Sequence, residues 1–215
     1  MRSLRHGRVV AAALAAASIV AGAGLGSGTA HAAPHVLQVG DMIRLAAVEY
    51  GCTVGLTGIV DGGSAAVTAG HCAPAPSGMA YRGLSGVPVG SIREVSSLED
   101  LDFALIRVDG SVPRSTVAAP GGIGERVCKS GRITGVTCGA IVDVTATEVV
   151  ARVRALPGDS GGPLRDLRGR VIGITSRLNV AQPQALATWA SSLSGSPVEI
   201  RFSRADRIAE RVSLR

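Results

Sequence analysis

Every histidine stands ahead of a serine framed by glycines, and that order excludes most folds able to use the pair. The serine is Ser160, in Gly158-Asp159-Ser160-Gly161-Gly162-Pro163. Glycines admit backbone angles closed to other residues and let a second chain come close, so the hydroxyl is presented uncrowded. Such a turn aims the amide N–H groups of Gly158 and Ser160 at one point, where the oxyanion of an attacked carbonyl sits. A serine hydroxyl is a weak nucleophile at its own pKa, and it needs a histidine base that a third group orients.

The four histidines are His6, His31, His35 and His71. The first two fall in a leader that reads as removed. His71 lies in Thr68-Ala69-Gly70-His71-Cys72, after the apolar run Ala65-Ala66-Val67, at a strand end or just past it. The candidate orienting acid is Asp102 in Leu101-Asp102-Phe103-Ala104-Leu105-Ile106, because its neighbours are the most apolar; Asp100 and Asp109 stand among polar or turn residues. The stretch around Ser160 also fits the G-x-S-x-G elbow of α/β-hydrolases, but there the histidine follows the serine, and none follows Ser160. A subtilisin-like order needs an aspartate ahead of His71, for which Asp41 is available. The chain lacks the alternating helices of a doubly wound fold, so Asp41 reads as a solvated acid near the mature N-terminus.

These three motifs, in this order, resemble the trypsin/chymotrypsin-like serine proteases, and in particular the bacterial secreted branch of streptogrisins and alpha-lytic protease. A fourth segment, Val127-Cys128-Lys129-Ser130-Gly131-Arg132-Ile133-Thr134-Gly135-Val136-Thr137-Cys138-Gly139, is similar to a disulfide-closed loop of that branch. The resemblance spans roughly residues 50 to 193. It implies two six-stranded antiparallel β-barrels, with His71 and Asp102 on the first, Ser160 on the second, and a crossover near Val112 to Pro120. It also implies peptide-bond hydrolysis through a His71-Asp102-Ser160 triad and an acyl-enzyme. Four cysteines in an exported chain allow three pairings; the resemblance selects Cys52 with Cys72 and Cys128 with Cys138. The absence of C-x₂₋₄-C spacing argues against a metal site, and neither metal nor cofactor is expected. In the family the aspartate before the nucleophile forms a buried ion pair, so Asp159 is expected to pair with Lys129, the only lysine in the chain; an exposed lysine is the alternative.

The leader sets the compartment. Arg2, Arg5 and Arg8 precede an apolar run from Val9 to Ala23 and then Ala30-His31-Ala32, which is a signal peptide with an A-x-A cleavage site at residues 1–32. The run is too short and glycine-broken for a membrane span; an uncleaved anchor is the competing reading. Its removal takes three arginines from a chain of formal charge +6, and the small excess left over is no argument for nucleic acid. The expectation is a secreted, extracellular monomer acting on protein or peptide substrates. A short segment, 33–49, precedes the protease domain at 50–195.

Short β-branched runs parted by glycine turns read as an all-β chain. Strands are expected at 50–57, 64–68, 87–93, 103–108, 126–129, 137–144, 148–154 and 170–176. After Pro183 the period shifts to 3.6, giving a short helix with Leu186, Trp189, Ala190 and Leu193 on one face. Residues 196–215 read as a basic C-terminal extension in which Arg201, Arg204, Arg207, Arg211 and Arg215 share a helical face, either touching an anionic envelope or remaining solvated. Two departures bear on the substrate pocket, whose candidate residues are Arg154, Ser176, Arg177 and Leu178. Leu178 stands where relatives keep a glycine and is expected to narrow or close the pocket. Arg154, near the expected floor, either selects acidic side chains or turns outward. A catalytically inactive, protease-like binding protein is the alternative function.

Overall fold

Thirteen strands build the described residues into two β layers, each made by antiparallel pairing, mostly of neighbours in sequence. The computed structural model describes residues 37–45, 51–83, 86–96, 101–180 and 184–215. The leader, His6, His31 and His35 lie outside them.

The first sheet holds β1 (Met42–Leu45), β2 (Cys52–Thr53), β3 (Leu56–Val60), β4 (Gly63–Thr68), β5 (Met79–Arg82), β6 (Val87–Ser96) and β7 (Phe103–Val108), in the order β2-β1-β5-β6-β7-β4-β3. Its β3–β4 hairpin turns on Asp61-Gly62, both at positive φ (49° and 74°), the pairing a two-residue type I′ turn selects. The second is a closed barrel of β8 (Arg126–Gly131), β9 (Gly135–Val144), β10 (Glu148–Val153), β11 (Pro163–Asp166), β12 (Val171–Leu178) and β13 (Val198–Arg204), in the order β10-β13-β12-β11-β8-β9. Strands further apart in sequence are joined in the pairs β1–β5, β4–β7, β8–β11 and β10–β13. Two helices, α1 (Ala185–Leu193) and α2 (Ala205–Arg211), flank β13.

Each sheet wraps its own core. Leu37, Ile43, Leu45, Val54 and Ile106 fill the first; Val127, Ile141, Leu164, Ile172, Ile200 and Phe202 fill the second. A third cluster spans the two layers, packing Leu56, Val67 and Phe103 against Val171, Ile174 and the α2 residues Ala205 and Ile208. Burying each large side chain of this kind is worth roughly 1.5–3 kcal/mol, so the seam is a substantial bond between the halves. Both sheets belong to one compact unit, Pro34–Arg215.

The expected all-β architecture of two barrel-like layers is present, with seven strands in the first layer and a closed six-stranded barrel in the second. Two expectations need correcting. Residues 198–204 are no extension: β13 pairs with both β10 and β12 and closes the second barrel. Val198, Ile200 and Phe202 point inward while Glu199 and Arg201 are half-buried, a period-2 pattern that arginines spaced three and four apart had masked. Nor do those arginines form a free basic face. Arg201 pairs with Glu148, Arg204 with Asp206 at 2.6 Å, Arg207 with Glu210 at 3.0 Å and Arg211 with Glu94 at 3.2 Å. The Arg215 backbone bonds reciprocally to Ile59 on the first sheet, so the chain end is part of the fold.

The helix expected after Pro183 exists, with a different face inward. Ala185 and Trp189 pack on the second core and Ser192 is fully buried, whereas Leu186 and Leu193 are 80% and 65% exposed. A polar anchor sets this rotation. The Ser192 hydroxyl donates to the Ala155 carbonyl and accepts from the Ala155 N–H, and Arg154 Nε donates to the Ser192 carbonyl at 2.9 Å.

Candidate active site

His71 sits in a tight 3-10 turn, Gly70–Cys72, directly after β4. Its neighbour Cys72 is joined to Cys52 of β2, and a second disulfide joins Cys128 to Cys138 across β8 and β9. The first closes a loop of 20 residues, for which chain-entropy arguments give roughly 3 kcal/mol. The histidine loop is therefore fastened at both ends, by a strand and by a covalent bond.

Asp102 lies one residue before β7 and has no exposed side-chain surface. Its Oδ1 accepts the His71 backbone N–H at 2.9 Å, and its Oδ2 lies 2.8 Å from His71 Nδ1. Ser176 Oγ donates to the same Oδ2 at 2.6 Å, while the Asp102 N–H donates to Ser203 Oγ at 3.0 Å. Burial alone raises this carboxyl; the bonds from His71 and Ser176 outweigh it and hold Asp102 below the usual carboxylate range. An ionised carboxylate only accepts, so the proton rests on Nδ1 and Nε2 is left with its lone pair. That nitrogen is 2.9 Å from Ser160 Oγ.

The turn carrying Ser160 is braced from the first sheet. The Thr53 N–H donates to the Ser160 carbonyl at 2.8 Å, and Thr53 Oγ1 donates to the Gly158 carbonyl at 2.9 Å. Gly161, at φ +83°, has no room for a side chain: a Cβ there would lie 2.1 Å from Thr68 Oγ1 and 2.3 Å from the Thr53 carbonyl oxygen. Among the described residues the amide N–H groups of Gly158 and Ser160 have no acceptor. Two donors without a protein acceptor, flanking a serine hydroxyl, are a feature that a developing oxyanion could use.

Asp159 points the other way, into the interior. Lys129 Nζ donates to its carboxylate at 2.9 Å, and neither side chain has any exposure. Four more donors converge there: the N–H groups of Ile133 (2.7 Å), Thr134 (3.1 Å) and Leu156 (3.0 Å), and the Thr134 hydroxyl (2.6 Å). Lys129 also donates to Thr134 Oγ1. Burial would raise Asp159, but the Thr134 hydroxyl and Lys129 hold it below the usual range. Burial pulls the Lys129 ammonium down, and Asp159 restores part of that loss.

Beside Ser160 opens a cleft of about 330 Å³. Ala155, Leu156 and Pro157 form one wall, Thr175 to Leu178 the other, and Ala185 and Trp189 of α1 contribute to its lining. Leu178 is buried to 8% exposure and leaves the cleft open rather than closing it. Arg154 does not line the cleft: its Nε donates to the Ser192 carbonyl of α1. Ser176 lines it but also holds Asp102. Sequence reasoning missed Thr134, Ser203 and Trp189 as parts of the site: Thr134 lay inside the cysteine-closed loop, Trp189 was read only on the face of a short helix, and Ser203 fell in the stretch read as an extension. Among the described residues no group of three or more His, Cys, Asp or Glu side chains gathers to hold a metal ion.

No protein-family model matches the chain. Solved structures do. Thermobifida fusca Protease A superposes with a TM-score of 0.65 at 20% identity, over 84% of this chain and 97% of that one. The chain has the fold of the bacterial chymotrypsin-like serine proteases. A glutamic acid-specific serine protease matches at TM-score 0.66 and 20% identity, over 83% and 98% of the two chains. Nocardiopsis protease matches at 0.61 and 22%, over 83% and 97%. At this identity the likeness concerns the fold; function rests on the chain's own residues.

Proposed function

We propose that the protein is a secreted serine endopeptidase working through His71, Asp102 and Ser160. The observation that carries this reading is the position of one imidazole, 2.9 Å from a serine hydroxyl and 2.8 Å from a buried carboxylate. Ser160 attacks the scissile carbonyl, and His71 Nε2 takes its proton and then delivers it to the leaving amine. Asp102 keeps the ring in the required tautomer and stabilises the imidazolium. The unpaired N–H groups of Gly158 and Ser160 receive the oxyanion, a contribution worth about 10²–10³ in kcat per donor in comparable sites. The ester of Ser160 is then hydrolysed by water activated by the same histidine.

Two disulfides and the signal-like leader support export, since such bonds persist in oxidising compartments. The Asp159–Lys129 pair acts as the frame that holds the oxyanion turn from within. Digestion of a denatured protein substrate tests the reading: purified protein cleaves it and Ser160→Ala does not. Equal cleavage by both, or none by folded wild type, contradicts it.

A further inference from the structure

A glycine that its turn does not require marks a second site, on the first sheet at the end remote from His71. In Asp61-Gly62-Gly63 the two turn residues are at positive φ, but Gly63, the first residue of β4, is not. Its missing side chain makes room for a neighbour. A Cβ there would lie 1.9 Å from Arg107 Cζ and 2.2 Å from both terminal nitrogens, so the guanidinium rests in the space the glycine leaves. Arg107 of β7 and Arg93 of β6 line a hollow of about 270 Å³, together with Asp61, Val60, Ala65 and Leu105. Along β4, roughly 17 Å of strand separates Gly63 from Thr68, and His71 lies beyond Thr68.

The charges of this hollow are uncommitted. Every arginine of β10, β12, β13 and α2 is paired with a carboxylate. Among the described residues the side chains of Arg93, Arg107 and Asp61 have no ion pair or hydrogen bond. Glu94, next to Arg93, is engaged by Arg211 of α2 at 3.2 Å. Two guanidiniums against one carboxylate leave the hollow a net charge of +1.

A guanidinium presents planar, forked donors that match a carboxylate. A phosphate dianion would overcharge the hollow and face Asp61, and it has no apolar body to displace water from Val60 and Leu105. We propose that this hollow binds a small monocarboxylate, with the carboxylate on Arg93 and Arg107 and a short apolar body against Val60, Ala65 and Leu105. Its volume falls just under the usual range of ligand pockets, about 300–1,000 Å³, so the ligand is about the size of one leucine residue. A short aliphatic acid and a peptide end with an apolar last residue share this chemistry. Occupancy of the hollow does not depend on the chemistry at Ser160.

Titration of isotope-labelled protein, followed through its backbone amide signals, uses isocaproate and N-acetylleucine as probes. Both are expected to shift the Gly63, Ala65, Arg93 and Arg107 signals saturably. Isocaproamide lacks the charge, acetate lacks the apolar body, and inorganic phosphate lacks both the single charge and the body. Each is expected to bind at least about tenfold more weakly, the scale of one lost charge-assisted hydrogen bond. Arg93→Gln and Arg107→Gln each weaken isocaproate by a similar factor. So does Gly63→Ala, which keeps both charges but displaces the Arg107 guanidinium. Unchanged signals from the second barrel show that the variants are folded.

Tighter binding of isocaproate than of N-acetylleucine supports the site with an aliphatic acid as ligand, and the reverse order supports it with a peptide end. No saturable shift at Arg107, shifts confined to residues around Ser160, amide or phosphate binding as tight as that of isocaproate, or full affinity in the three variants overturns the assignment.

Discussion

Two carboxylates, Asp102 and Asp159, are equally sealed from solvent, yet their partners are not. Each has 0% side-chain exposure, but the partner of Asp102 is a histidine 32% exposed, whereas the partner of Asp159 is a lysine with none. Asp102 accepts three donors, and one of them belongs to a ring that also touches Ser160. Asp159 accepts five, all from the protein's own interior framework. A buried charge beside a group that can gain a proton and reach solvent drives chemistry. The same charge beside a sealed ammonium and four further donors fixes shape. On the proposed function, one carboxylate serves the reaction and the other rigidity, and their partners alone make the difference.

The comparison is broken most severely at Asp102. Asp102→Asn removes the charge and misdirects the tautomer, and kcat is expected to fall by about 10⁴. A loss below tenfold would show that the carboxylate does not act on the ring. At Asp159 the expected damage is to folding instead. Lys129→Met leaves a buried carboxylate without its counter-charge, which costs about 3–5 kcal/mol, measurable by denaturant unfolding. An unchanged midpoint would place the support of the turn in the Thr134 and backbone donors alone.

Acid sharpens the contrast. Both carboxyls titrate below their unfolded value of about 3.9. Unfolded chains then bind protons more readily than folded ones, so the stability these groups contribute is fully present well above pH 4. It is lost as pH falls from about 4 through the folded values. Melting temperature against pH is expected to be flat in this respect near neutrality and to drop below about pH 4, less steeply in Asp159→Asn. A melting temperature that rises on acidification contradicts the sign. The smallest effect is expected at Ser176, whose bond to Asp102 is one of three: Ser176→Ala loses about 1 kcal/mol of stability and slows turnover less than Asp102→Asn.

The motif residues were legible because their chemistry imposes both type and order: no histidine follows Ser160, and of the four ahead of it only His71 directly follows an apolar strand-like run, with an apolar-flanked acid between. Strand β7 was readable to the residue, as a run of β-branched and apolar side chains closed by Asp109-Gly110. The misses have physical causes. Strands β1, β5 and β11 have four residues each, too few to show a period. Arginines at 201, 204, 207 and 211 imitated a helix across β13, whose alternation of Val198, Ile200 and Phe202 is the signal that tertiary pairing obeys. The face of α1 was misjudged because apolar periodicity assigns helices by their greasiest stripe. Here a buried hydroxyl, Ser192, sets the rotation, and the two leucines are left outside. Pairing of Arg177 with Glu148, far apart in sequence, left no trace in composition.

The central claim is that His71 activates Ser160, and covalent modification measures it most directly. Purified protein is treated with a fluorophosphonate and the labelled peptide is identified by mass spectrometry. The account predicts a single adduct on Ser160, absent in Ser160→Ala and slowed by orders of magnitude in His71→Ala. An adduct elsewhere, or labelling of Ser160 at the same rate without His71, would contradict it.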